Sequence, residues 1–171
     1  MTMQIAKFSQ MLSLYKDKMF RYAFNIVGSR FAAEDVVQEA MIKIWKKREQ
    51  FAEIENKEAW CVTVTRNLAI DKVRAAKKRR AGDITEYHHI SDSDPSPDVQ
   101  LEHKDALQKV GVILDGLPPQ QKEIITLRDV EGYTYQEIAD ILEISVDQVK
   151  VNLHRARKSL RSKLLALRSQ I

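Results

Sequence analysis

The 171-residue chain predicts an all-α protein of two small helical domains joined by a flexible acidic linker. Three observations carry that expectation. Only five Gly and four Pro occur, so little interrupts long helices. Apolar residues recur at steps of three and four, and no alternating strand pattern competes. Charge is also segregated: residues 1–82 carry a net +8, residues 83–105 carry −6, and residues 106–171 carry +2. Two basic bodies flanking an acidic strip suit two contacts with a polyanion, which the mild overall charge of +4 conceals. The domains are expected at 1–82 and 105–171, with the linker at 83–104.

A first helix is expected from about Ile5 to Val27, with Ile5, Phe8, Leu12, Tyr15, Met19, Tyr22 and Ile26 inward and Gly28 placed to stop it. A second spans about Ala32 to Arg48. Its first turns hold Glu34, Asp35 and Glu39 and its last holds Lys46, Lys47 and Arg48, the favourable order for a helix dipole. A third starts at Asn56, a good cap, and runs through Trp60, Val64 and Leu68 to about Arg80. From Gly82 to Asp98 the text is polar and acidic, without helical period, as a linker should be. Ser96-Pro97-Asp98 then reads as a cap, a first-position Pro and a first-turn acid, opening a helix to about Leu114. Leu117-Pro118-Pro119 introduces another from Gln120 to Val130, closed by Gly132.

The last segment is the most informative. Thr134-Tyr-Gln-Glu137 and Ser145-Val-Asp-Gln148 each put a hydroxyl three residues before a Glu or Gln, the reciprocal pattern that satisfies orphan amides at a helix start. Two helices begin eleven residues apart, with room for little more than a turn at Glu143-Ile144. This is a helix-turn-helix pattern. In the second helix Val149, Leu153, Ala156, Leu160, Leu164 and Leu167 form one apolar stripe, while Lys150, Val151, His154, Arg155, Lys158 and Arg161 fall opposite. From Val146 to Ile171 seven Lys or Arg face one acid. Such a helix fits a major groove. Seen alone, the same stripe is also that of an ordinary amphipathic helix with a solvated basic face; the paired capping boxes favour DNA.

Other classes find little support. The lone Cys61 can form no internal bridge, and no Cys/His spacing resembles a zinc site, so neither metal nor cofactor is expected. The adjacent His88 and His89 read as loop residues. There is no Gly-rich phosphate loop, no G-x-S-x-G and no His/carboxylate pair at metal spacing, so the chain is not expected to be an enzyme. No apolar run approaches the ~20 residues of a membrane span. Met1 to Gln10 lacks a cationic start followed by an apolar core, so the expected location is cytoplasmic, without membrane insertion.

Two further faces stand out. On the second helix Val36, Val37, Ala40, Met41 and Ile44 point inward, leaving Asp35, Gln38, Glu39, Ile42 and Lys46 outward. An acidic-amide face around an exposed Ile suits a protein contact, although single exposed apolar residues are ordinary. The third helix ends in a basic run, with Asn67, Asp71, Arg74 and Lys78 sharing one face. Its cations, with Arg66, could track phosphates, and Phe51 and Trp60 could offer rings for unstacked bases. Both aromatics suit a core equally well.

Ala33-Glu-Asp-Val-Val-Gln-Glu-Ala-Met-Ile-Lys-Ile-Trp45, then Trp60 with Thr65-Arg-Asn-Leu-Ala-Ile-Asp71 and Arg74, then Leu117-Pro-Pro with Tyr133 to Arg157, together resemble bacterial RNA polymerase sigma factors of the extracytoplasmic-function (ECF, group 4 sigma-70) family. The resemblance covers nearly the whole chain in order. It implies a sigma2-like domain of three or four helices and a sigma4-like helix-turn-helix domain, binding core RNA polymerase and melting promoter DNA without nucleotide hydrolysis. Asp35, Gln38 and Glu39, with Ile42 among them, match the polymerase-contacting segment, which reverses the ordinary reading of that face. The Gln50 to Trp60 segment matches the loop that captures a flipped minus-ten base. Phe51 and Asn67 match its pocket, and Trp60, Arg66, Asp71, Arg74 and Lys78 adjoin it. Lys150, Val151, His154 and Arg155 match the positions that read the minus-thirty-five duplex, with Arg157 and Lys158 better suited to phosphates. Val151 departs from the polar residue many members carry and suits a thymine methyl; His154 departs too, so relatives do not supply the promoter sequence. The linker resembles the family's connector, whose charge imitates nucleic acid in a basic channel, and the family implies an anti-sigma factor as a partner.

Two rivals use the same residues. A regulator binding a duplex operator alone would ordinarily dimerise on paired half-sites, and no added dimerisation element is evident. An interaction protein would bind polymerase or another factor with its basic helices merely solvated.

Overall fold

A computed structural model of the chain describes residues 5–82 and 111–168, and all of its regular structure there is helical. The chain divides into two compact units, Met1–Asp94 and Pro95–Ile171. That division falls inside the acidic segment, which lies outside the described residues.

In the first unit α1 spans Ile5–Val27, α2 Arg30–Lys46, α3 Arg48–Glu53 and α4 Lys57–Gly82. Phe8, Leu12, Met19 and Tyr22 recur at helical spacing and are buried, which fixes the inner face of α1. Gly28 follows at φ +72°, a left-handed stop that costs a Cβ-free residue little. The Oγ of Ser29 accepts a hydrogen bond from the Ala32 amide and starts α2 two residues before the expected position. Asn56 caps α4, its Oδ1 accepting from the Ala59 amide at 2.9 Å.

The expected continuation of α2 to Arg48 does not occur. The chain turns at Lys47 (φ −104°, ψ 22°) and begins the short α3, whose one buried side chain is Phe51. Neither Gly nor Pro marks that turn.

Helices α1, α2 and α4 pack mutually around Met19, Ala23, Val36, Val37, Ala40, Ile44, Phe51, Cys61 and Ala69. Thr65, fully buried, donates to the Cys61 carbonyl at 2.8 Å, so its hydroxyl enters the core satisfied. Burial, with a smaller contribution from the Glu58 charge, pushes the Cys61 thiol up to about 12. Lys18 and Glu58 pair at 2.7 Å across α1 and α4.

In the second unit residues 111–115 are helical, the last described turn of the helix expected from Ser96; the rest of that helix lies outside the described residues. Then come α5 (Pro119–Ile125), α6 (Tyr135–Leu142) and α7 (Val146–Arg168). Pro119 takes the first turn of α5, where a missing N–H costs nothing. The single helix expected over Gln120 to Val130 changes character: Thr126–Val130 forms a wide π turn, the Glu131 amide bonding the Thr126 carbonyl and the Tyr133 amide bonding the Leu127 carbonyl, each at 3.0 Å. Gly132, at φ +79°, then reverses the chain.

Ile124, Leu127, Ile138, Ile141, Val149, Leu153 and Ala156 form this unit's aliphatic core. The apolar stripe of α7 is buried only in its first half. Leu160 is half-buried and Leu164 is 41% exposed, contrary to the expectation of a core-facing stripe throughout; the Leu167 side chain is outside the described set. Helix α7 is simply longer than α5 and α6, which pack against it. Among the described residues no helix is long and apolar enough to cross a membrane, and no group of three or more His, Cys, Asp or Glu could hold a metal ion.

Candidate polymerase and nucleic-acid interfaces

Because Val36, Val37, Ala40 and Ile44 are drawn into the bundle, α2 turns Asp35, Gln38, Glu39 and Ile42 outward. Ile42 is 56% exposed amid the acidic and amide groups. Asp35 forms an ion pair with Lys72 of α4, so this face is tied to the neighbouring helix. The sequence offers no sign of that pair.

On α4, Asn67, Asp71, Arg74 and Lys78 are exposed and Arg66 is half-buried. Asn67, Asp71, Arg74 and Lys78 share one face, with Arg66 to its side, and Asp71 and Arg74 approach to 3.9 Å. The aromatic residues behave differently. Phe51, expected at a base-capture pocket, is fully buried: its ring meets Phe8 edge-on at 5.5 Å and Trp60 at 5.6 Å. No base can stack on it in this arrangement. A bulky ring one turn after a helix break stabilises more by filling the core than by lying in water. Trp60 is half-buried and keeps part of its surface open. Phe8 and Trp45, 5.0 Å apart, complete the cluster, with the Arg48 guanidinium 4.9 Å over the Trp45 ring.

The starts of α6 and α7 are both fixed by hydrogen bonds. Thr134 Oγ accepts from the Glu137 amide at 3.2 Å while the Thr134 amide donates to the Glu137 carboxylate at 2.7 Å. Ser145 and Gln148 repeat the exchange at 3.2 and 3.0 Å. Between the two helices Glu143 adopts φ 55°, and the Ile144 amide bonds the Ala139 carbonyl at 3.0 Å. With both helix starts locked, Lys150, Val151, His154, Arg155 and Lys158 all point to solvent, Val151 at 48% exposure.

Arg157 is the exception. Expected among the phosphate-binding cations, it is committed instead to Asp129 in the π turn, Nε donating to Oδ2 at 3.1 Å and Nη2 to Oδ1 at 2.5 Å. The hydrogen bonds to Asp129 raise the guanidinium above its ordinary pKa, against a smaller opposing effect of burial. Arg128 beside it donates to the Tyr133 carbonyl at 2.7 Å and lies 4.8 Å over the Tyr135 ring. The Asp129–Arg157 clip was not legible, since the two residues lie 28 apart in the chain.

Residues 11–79 match the model of Sigma-70 region 2, and residues 107–160 match that of Sigma-70 region 4. The ECF RNA polymerase sigma factor SigW of Bacillus subtilis is 30% identical over 168 residues, covering 92% of this chain and 88% of SigW. SigE of Mycolicibacterium smegmatis, also an ECF RNA polymerase sigma factor, is 30% identical over 157 residues, covering 91% of this chain and 60% of SigE. Among solved structures, the sigma factor RpoE of Bartonella quintana, crystallised with the anti-sigma factor NepR, is 27% identical, with a TM-score of 0.75 over 94% of this chain and 98% of RpoE. CnrH, solved with the cytosolic domain of CnrY, shares the fold at 21% identity and a TM-score of 0.70. With both sigma regions present in order and a relative matched over nearly its full length, the chain belongs to the ECF RNA polymerase sigma factors, non-enzymatic proteins that bind RNA polymerase and confer promoter-specific initiation.

Proposed function

We propose that this sigma factor divides its work among three surfaces. The α2 face of Asp35, Gln38, Glu39 and Ile42 docks on core polymerase, an apolar residue ringed by polar ones being the usual composition of an interface centre. The α4 face of Arg66, Asn67, Asp71, Arg74 and Lys78 holds the melted minus-ten strand, with the open part of Trp60 as its stacking surface and Phe51 supporting that ring from the core. Unstacking a base costs a few kcal/mol, which stacking and hydrogen bonds in a pocket must offset. On α7, Lys150, Val151, His154 and Arg155 meet base edges of the minus-thirty-five duplex and Lys158 meets phosphate; Val151 suits a thymine methyl.

The observation that supports this most is the outward display of those five α7 residues behind a helix start fixed by one reciprocal capping box. The chain works in the cytoplasm, where polymerase is, and an anti-sigma factor holds it in check, as NepR assembles with RpoE. The test is to add the purified chain to core polymerase and measure initiation across a genomic promoter library. Selective initiation supports the reading, whereas tight operator binding without polymerase supports a solitary regulator. Replacing Asp35 and Glu39 by Lys should abolish co-purification with core while the helical circular-dichroism signal stays; undiminished co-purification would count against the α2 face.

A further inference from the structure

Around α7, at 100° per residue, Arg157 lies only about 20° from Lys150 and about 40° from Arg161, at the edge of the displayed basic face. Its side chain is 50% exposed and that of Asp129 is 38% exposed, so burial does not withdraw it from the surface. Its partner does. A two-bond fork onto a carboxylate uses the same planar donor edge that a guanidinium presents to a phosphate, so the Asp129 carboxylate occupies the hydrogen bonds DNA would take.

Exposed ion pairs are generally weak because two long side chains must be ordered to form them. Asp129 is short, however, and sits in a turn already pinned through Arg128 to Tyr133 and Tyr135. We propose that Asp129 limits the DNA affinity of α7: it holds the Arg157 guanidinium and so keeps one cation of the recognition helix off the DNA phosphates. The inference rests on the reading of α7 as the duplex-reading helix.

The consequence follows from what phosphate contacts do. Each strengthens binding to every sequence alike and makes it more salt-dependent, with no gain in discrimination. A masked Arg157 therefore lowers binding to every sequence by about the same factor and makes it less salt-dependent.

Holoenzyme reconstituted with core polymerase tests this on a promoter upstream duplex and on a scrambled duplex, across a salt series. Asp129→Asn should bind both duplexes several-fold tighter at low salt, steepen the slope of log affinity against log salt by ~0.9, and leave the promoter-to-scrambled ratio unchanged. Adding Arg157→Gln to that variant should return the slope to the wild-type value. Arg157→Gln alone should leave the slope unchanged; a slope shallower by ~0.9 means that Arg157 already meets a phosphate and overturns the proposal, whether or not the Asp129 variant folds well. An unchanged slope in a folded Asp129→Asn protein also overturns it. Should wild-type holoenzyme select no promoter, the reading of α7 fails, while the slopes on scrambled duplex still decide the masking.

Discussion

The two units hold their working residues in place by different physics. In the first, Phe8, Trp45, Phe51 and Trp60 interlock in the bundle, and the exposed faces of α2 and α4 are what packing leaves over. In the second, the buried set is largely aliphatic, and α7 is held by polar ties: two capping boxes, a left-handed Glu143 and the Arg128 and Arg157 clips. Damage to the first arrangement should cost several kcal/mol of stability, about 3–5 for a large core ring; loss of one tie in the second should cost about 1 kcal/mol, with discrimination lost only where a DNA-facing side chain is removed.

Five substitutions test the contrast, the largest effect first. Phe51→Ala should lower the unfolding free energy of the first unit by ~3–5 kcal/mol, seen as a fall in the denaturant midpoint. A fall under ~1 kcal/mol would show that the aromatic cluster is not what holds the bundle. Arg155→Ala should weaken promoter use by ~1–3 kcal/mol with polymerase assembly intact, and an equal loss on every upstream sequence would mark a phosphate contact in place of a base contact. Thr134→Ala and Ser145→Ala should each cost ~1 kcal/mol of stability in the second unit, while the rank order of promoters stays fixed. Reordering would mean that the hydroxyls themselves touch DNA. Glu143→Gly exchanges a left-handed backbone strain of ~1–2 kcal/mol for a chain-entropy cost of ~0.5–1, so the melting temperature should rise slightly. A fall would show that the Glu143 side chain supplies a contact worth more than the strain.

What could be read from the text was local. The inner face of α1, the stop at Gly28, the cap at Asn56 and both capping boxes depend on residues within a turn or two of each other, and each stands where its spacing expects. The outward display of Asp35, Gln38, Glu39 and Ile42 follows from the same periodicity. The break at Lys47 carries no Gly or Pro, and the π turn at Thr126–Val130 depends on carbonyls that have no sequence signature. Pairings such as Asp35 with Lys72 and Asp129 with Arg157 require the fold before they can be recognised. Phe51 misled for a related reason: matching a motif says which position a residue occupies, but only packing says which way its ring turns.

Cys61 adds a constraint on signalling. Its side chain is buried, and burial pushes the thiol up to about 12, so little of it is thiolate at neutral pH. Peroxides and electrophiles attack the thiolate, so the native chain is blind to them at its one sulfhydryl group. If oxidative stress governs when this factor is set free, Cys61 is not the sensor.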